Sequence, residues 1–198
     1  MSLDSAPRDD RAHWEARYAE RGPQHDRLPS PWVIRHCLAL PPDALIVDIA
    51  GGSGRHAIPL AQAGRAVVVV DFIASALEAA RRRQHTLLAV AADVRMLPLA
   101  AGSVDAFVCV SFLDRTVFGS LANALRPGGW LVYETFTHRH LELVAAGRAH
   151  GPRNPAFLLE PGELRALVAP LVVREYEEGL VDDAAGVRHV AQIAAVKV

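Results

Sequence analysis

Val47-Asp48-Ile49-Ala50-Gly51-Gly52-Ser53-Gly54-Arg55-His56 constrains the fold of this chain more than any other stretch. An apolar run breaks into a glycine cluster, and helical character resumes directly after it. That order requires a strand to feed a tight turn that opens a helix. Glycines in such a turn let a ligand come close to the backbone, and the free N–H groups of the helix start face that ligand. Asp71 ends the next apolar run, Ala66 to Val70, where a carboxylate can accept both hydroxyls of a ribose.

The rest of the chain repeats the alternation. Ala66 to Val70 is β-branched and apolar throughout, as expected of a strand buried on both faces. Helices are expected over Arg55 to Ala63, Ala74 to Arg83 and Thr116 to Leu125, and further strands over Leu87 to Ala92 and Val104 to Val110. Arg126-Pro127-Gly128-Gly129 reads as a turn into a strand from Trp130 to Phe136. Gly147 to Pro161 reads as a loop, and Gly162 to Val168 as a short helix. Leu171 to Glu178 and Val187 to Val198 read as strands joined by a hairpin at Asp182 to Gly186. Ahead of the sheet, Asp10 to Glu20 reads as a helix with Trp14 and Tyr18 on one face, and Pro31 to Leu40 as a second helix. The expected fold is α/β, a doubly wound, mostly parallel sheet closed by an antiparallel C-terminal edge hairpin, with helices on both faces.

Composition narrows the function. With 21 basic and 22 acidic residues, net charge is -1. Such a balance gives no broad positive field, so no nucleic-acid partner is expected. Arg81-Arg82-Arg83, the one basic cluster, reads as the solvated end of a helix. Cys37 and Cys109 have apolar neighbours and no metal-ligand spacing, as suits a reducing compartment. Met1-Ser2-Leu3 is set aside as a leader. Without a signal-peptide pattern or a bilayer-length apolar run, a cytoplasmic location and no membrane association are expected.

The glycine loop and Asp71 alone leave two ligands open, because Gly52-x-Gly54-x-x-Ala57 also fits a dinucleotide fingerprint. Three features favour the other ligand. Asp48 precedes the glycines on the strand, where it can stabilise a cationic amine or sulfonium. Asp93 ends the third strand, placed to meet an exocyclic adenine amine. The Pro-Gly-Gly turn leads directly into the fifth strand.

Taken in order and spacing, DIAGGSGRHA, VVVVDF, AADVRMLPL and LRPGGWLVYE resemble the successive motifs of class I S-adenosylmethionine-dependent methyltransferases. The resemblance covers roughly residues 45 to 136 and implies a Rossmann-like seven-stranded sheet with S-adenosyl-L-methionine as cofactor. It assigns Asp48, Ala50, Gly52 and Gly54 to the methionine moiety, Asp71 to the ribose and Phe72 to the adenine face. Asp93 and Val94 match the adenine contact, and Ser111 the wall after the fourth strand. Gly51 stands where a Cys or another small residue is common, and Pro59 within the first helix removes an N–H.

A narrower similarity, carried by Trp14-x-x-Arg17-Tyr18 and by Asn154-Pro155-Ala156-Phe157-Leu158-Leu159-Glu160-Pro161-Gly162-Glu163-Leu164, is to the tellurite-resistance and thiopurine-methyltransferase-like branch. It implies that residues 1–40 form an N-terminal helical lid segment and 41–198 a single cofactor-binding domain. It also implies an acceptor side over residues 136 to 160, and soft nucleophiles such as thiol, selenium or tellurium species as acceptors. The branch's acceptor-side Arg and His pattern is matched imperfectly, by Arg188 and His189.

Arg115 is a candidate to hold the acceptor or a carboxylate, with a structural ion pair as the plain alternative. His138, His140 and His150 lack the carboxylate or thiol set that would complete a metal site, so none is expected. A soft anionic acceptor needs no general base. A hydroxyl or amine would need one near the fifth strand's end, from His138, Glu134 or Tyr133. The expected partner is a small-molecule acceptor, and the expected state a monomer or homodimer. The rival readings are a cofactor-binding protein without catalysis and an NAD-linked oxidoreductase.

Overall fold

The structure is a computed structural model that describes residues 14–16, 18, 20 and 28–198. The expected start of the first helix at Asp10, Arg17 of the Trp-Arg-Tyr motif and the Met1-Ser2-Leu3 leader lie outside the described residues. Residues 14–16, 18 and 20 are helical. After them come α1 (Pro31–Leu38), β1 (Leu45–Ile49), α2 (Ala57–Gln62), β2 (Ala66–Asp71), α3 (Ala74–Arg83), β3 (Leu88–Ala91) and β4 (Val104–Val110). The chain continues through α4 (Phe118–Ala124), β5 (Leu125–Phe136), α5 (His140–Ala145), α6 (Glu163–Leu167), β6 (Val172–Asp183) and β7 (Gly186–Val196).

The seven strands form one sheet in the order β3-β2-β1-β4-β5-β7-β6. The first five are parallel, and β7 runs antiparallel to both β5 and β6. The doubly wound sheet with a C-terminal hairpin is therefore present. Strand order reverses at β1, so the carboxyl ends of β1, β2 and β4 open one crevice.

The period-2 alternation explains both faces. Val47, Ile49, Phe107, Cys109, Leu131 and Tyr133 point into one core, packed with Phe118 and Leu121 of α4 and Leu164 of α6. Ile46, Ala106, Val108 and Val132 point into the other, against Val33 of α1, Leu60 of α2 and Leu77 of α3. Fully burying such a side chain contributes roughly 1.5–3 kcal/mol, so the central strands carry much of the stability. Pro59 is the third residue of α2, where a missing N–H breaks no helical bond.

Two expectations are corrected. Arg126-Pro127-Gly128-Gly129 is not a turn ahead of a strand but a bulge inside β5, since the β4 register jumps from Val104↔Leu125 to Ala106↔Trp130. The bulge is held because Gly128 N–H donates to the Lys197 carbonyl at 2.7 Å and Lys197 N–H donates to Gly129 at 2.9 Å. The His140–Ala145 helix was missed. It is only six residues long, too short for the 3.6-residue period to stand out.

Candidate active site

A cavity of about 900 Å³ opens over the carboxyl ends of β1, β2 and β4. Its floor is the glycine loop. Ala50 takes a left-handed backbone, φ 52°, and Gly52 follows at φ 55°. The loop cannot carry larger residues. A Cβ on Gly51 would meet Val69 Cγ2 at 2.6 Å and Asp48 Oδ2 at 2.8 Å, so glycine there is a steric requirement. A Cβ on Gly52 would collide with the Tyr18 hydroxyl. Gly54 lies behind the lining: at φ 80° its Cα faces Ile58 and Ala80, which seats α2 against α3.

Three acids meet the cavity in different states. Asp48, at the end of β1, is 1% exposed, and its Oδ2 has no hydrogen-bond partner among the described residues. Burial pushes its carboxyl up to about 7, against the pull of Arg55 and the Ala57 backbone N–H. Asp71 is also raised by burial, with three backbone N–H groups opposing the shift. Its Oδ2 accepts from Gly52 at 2.8 Å and its Oδ1 from Ile73 at 2.9 Å. Asp93 caps the single turn Val94–Met96 by accepting from Arg95 N–H at 2.9 Å, and pairs with the Arg95 guanidinium at 2.6 Å. Asp93 thus holds a turn of its own, and the residue still lines the cavity.

Phe72 and Val94 line the same wall, and Ser111 closes it after β4. Ser111 has φ 60°, a rare backbone for a serine, fixed where its N–H donates to the Glu134 carbonyl at 2.8 Å. Trp14 and Tyr18 line the cavity from the N-terminal helical residues. On the far side stand Phe112, Phe136, Gly151, Arg153, Asn154 and Phe157. Asn154 also caps the turn Pro155–Phe157, accepting from Ala156 N–H at 3.0 Å.

Besides Gly54, the candidates Arg115 and His138 lie outside the lining. Arg115 spends its guanidinium on Glu163 (2.5 and 2.9 Å) and on the carbonyls of Ala156 and Leu158 (3.0 Å each), clamping the loop that carries Phe157. His138 pairs with Glu160 at 3.3 Å. The other two base candidates are also committed. Glu134 is buried and bound to Arg188, Ser30 and Gln192. Tyr133 donates to the Phe112 carbonyl at 2.7 Å, and burial holds its phenol well above the usual range. Arg188 is paired with Glu134 and Asp183, and His189 is bonded to Thr137 at 2.6 Å; neither lines the cavity.

Sequence reasoning passed over Arg55 and His56, although both belong to the glycine motif it quoted, and passed over Arg95, Asp114, Phe136 and Arg153. Phe136 and Arg153 carry no local signal, since only packing brings them to the cavity. No group of three or more metal-ligating side chains occurs among the described residues. None of the described helices is long and apolar enough to cross a membrane.

Residues 46–129 match the family described as a methyltransferase domain. The chain is 35% identical over 103 residues to a demethylmenaquinone methyltransferase of Renibacterium salmoninarum, covering 49% of this chain and 43% of that one. It is 35% identical over 106 residues to a malonyl-[acyl-carrier protein] O-methyltransferase of Xylella fastidiosa, covering 46% and 35% respectively. The chain thus spans less than half the length of these two relatives. An S-adenosylmethionine-dependent methyltransferase of Methanosarcina mazei superposes with a TM-score of 0.70 at 20% identity, over 86% of this chain and 99% of that one. At that identity the likeness shows the fold.

Proposed function

From the premise that the chain carries a class I S-adenosylmethionine-dependent methyltransferase domain, we propose that it transfers a methyl group from S-adenosylmethionine to a small-molecule acceptor. The observation that carries this reading is Asp48, a buried carboxylate on the cavity wall with one oxygen unpartnered among the described residues. A buried carboxylate with one oxygen left unpartnered is costly, and a cationic ligand is chemistry that relieves it. The other residues fit the same cofactor. Asp71 is oriented by backbone N–H groups of Gly52 and Ile73, with its carboxylate at the cavity to receive a ribose. Phe72 and Val94 offer apolar faces for an adenine, with Asp93 at its edge. Ala50, Gly52 and Ser111 would shape the wall around the methionine moiety, Gly54 supporting them from behind.

When bound, S-adenosylmethionine supplies a methyl group already activated on a sulfonium. The chain's own task is alignment and exclusion of water. Trp14 and Tyr18 would cover the cofactor as a lid within residues 1–40, over a single domain spanning 41–198. The 151–157 loop and Phe136 would bound the acceptor side, with Asn154 presenting its amide.

The acceptor we favour is a soft nucleophile, a thiol, selenium or tellurium species, as in the tellurite-resistance and thiopurine-methyltransferase-like branch. What supports it is that Glu134, Tyr133 and His138 are each bound to other groups, so no base among those three stands ready to deprotonate a hydroxyl. A demethylmenaquinone-like acceptor or an oxygen acceptor, after the printed names of the two relatives, is the second reading.

The test is calorimetric titration with S-adenosylmethionine, S-adenosylhomocysteine and NAD, followed by a thiol, selenite and quinol acceptor panel. Binding of the first two and turnover of a thiol or selenium species are expected. Binding of NAD alone would overturn the cofactor reading, and turnover of the quinol alone would overturn the acceptor reading.

A further inference from the structure

The buried Ser30 N–H donates to His56 Nε2 at 3.0 Å. A backbone N–H can only donate, so Nε2 accepts, and a neutral imidazole that accepts at Nε2 carries its proton on Nδ1. Burial, with the charges of Arg55 and Arg188, keeps the ring neutral by holding its pKa well below the ordinary histidine value. Ser30 is itself fixed, since its hydroxyl donates to Glu134 Oε2 at 2.6 Å and its carbonyl accepts from Ile34 N–H at 3.1 Å. The main chain therefore sets the tautomer of His56.

The Nδ1–H has no such partner. His56 stands at the N-cap of α2 with no capping bond from its side chain, and its Nδ1 bonds to no described residue. Among the described residues, the unpartnered polar side-chain atoms sealed from all access are Asp48 Oδ2 and His140 Nε2, so Nδ1 keeps open surface. His56 is only 3% exposed and lines the cavity, so that surface belongs to the cavity. Asp48 is its neighbour there: the carboxylate accepts from the N–H of Ala57, the residue after His56, and its Oδ2 is unpartnered. Arg55 lines the same wall, so an anionic group there does not face acids alone.

One stretch of the wall thus offers a fixed neutral donor and, beside it, a carboxylate that calls for a cation. A lone cation would satisfy the second and leave the first unmet. An α-amino acid satisfies both, its ammonium facing Asp48 and its carboxylate accepting from His56. We propose that His56 binds the cofactor, its Nδ1–H donating to the carboxylate of the methionine moiety, and that it makes the site select ligands with an intact amino-acid end. The proposal rests on the cofactor reading above.

Two substitutions separate the ring's two nitrogens. Asn places an amide N–H near the position of Nδ1 and loses the acceptor for Ser30. Gln places an amide oxygen near Nε2 and withdraws the donor at Nδ1. The probes are S-adenosylhomocysteine and its decarboxylated analogue, which keeps the amine and lacks the carboxylate. Calorimetry on the wild type should show S-adenosylhomocysteine binding about tenfold tighter or more, the worth of one buried hydrogen bond to a charged group. His56→Gln should bring the two affinities within about threefold of each other, by weakening S-adenosylhomocysteine alone. His56→Asn should keep the preference while melting at a lower temperature, because the Ser30 N–H is left buried without an acceptor. Two-bond ¹H–¹⁵N spectra of the wild type need no variant. They should show His56 as the Nδ1–H tautomer, with that proton shifting downfield on addition of S-adenosylhomocysteine and not of the analogue. Equal affinities in the wild type, a preference undiminished in His56→Gln, or a His56 signal indifferent to both ligands would overturn the proposal and leave the cofactor reading standing. An equal loss of preference in both variants would make the role structural and overturn it likewise. Failure of the wild type to bind either ligand would overturn the cofactor reading, and this proposal with it.

Discussion

Gly52 donates its backbone N–H to Oδ2 of Asp71 across 2.8 Å, which locks the loop after β1 to the end of β2. The carboxylate that would hold a ribose therefore also shapes the floor beneath the methionine moiety. Asp71→Asn keeps one oxygen acceptor and should weaken S-adenosylhomocysteine about tenfold, whereas Asp71→Ala should weaken it about a hundredfold and lower stability by about 1–3 kcal/mol. Calorimetry with both variants checks this, and equal affinities would show that Asp71 holds no ligand.

Asp48 makes affinity and stability depend on pH in opposite directions. Its folded-state value, about 7, lies above that of an unfolded aspartate. The native state therefore holds a proton that the unfolded chain has released, and the ligand-free protein loses stability from this group as pH rises from about 4 to about 7. A cationic ligand prefers the ionised form, so affinity should rise across the upper part of that window. Asp48→Asn should flatten both trends, raise the melting temperature at pH 8 and weaken S-adenosylmethionine about ten- to a hundredfold. Melting and titration at pH 5, 6, 7 and 8 would read both effects, and a sloped affinity profile in the variant would assign the dependence elsewhere.

Arg115 should govern the acceptor side without touching the cofactor. It holds Ala156, Leu158 and Glu163 together, and Phe157 lines the cavity from that loop. Arg115→Lys cannot reproduce the fork, so it should behave like Arg115→Ala. Both should raise the acceptor KM several-fold while leaving S-adenosylhomocysteine affinity within about twofold. A matching loss of cofactor affinity would contradict this division.

Gly151 should tolerate no side chain. The His140 imidazole, itself fully buried, lies where a Cβ on Gly151 would stand. Gly151→Ala must displace either the ring or the loop and should destabilise the fold by about 1–3 kcal/mol. Combining it with His140→Ala should recover part of that loss, which chemical denaturation of the four-member cycle would measure. Strict additivity would show that the two sites do not touch.

The sheet, its parallel core and its hairpin were legible because strand alternation and glycine breaks are written within a few residues. Asp48, Gly52, Asp71 and Asp93 were legible for the same reason, as strand-end acids and a glycine break, while Ala50, Phe72, Val94 and Ser111 were named only through the family resemblance; all eight line the cavity. Gly54 was read as a ligand contact because a motif does not say which glycine faces outward. His56 stood in view but looked like an ordinary helix start, since its partner lies 26 residues earlier.

The sequence by itself determined where the chain turns and which acids stand at the strand ends, because φ preference and side-chain period act over neighbouring residues. Tertiary structure alone decided the state of each group. Glu134 was an open base candidate until Ser30, 104 residues earlier, and Arg188, 54 residues later, closed on it. Asp48 acquired its raised pKa by burial, with the Asp71 charge adding to it, and Arg115 turned from ligand candidate to loop clamp only when Glu163 arrived beside it. Protonation and partnership depend on distances between groups far apart in the chain, and packing sets those distances.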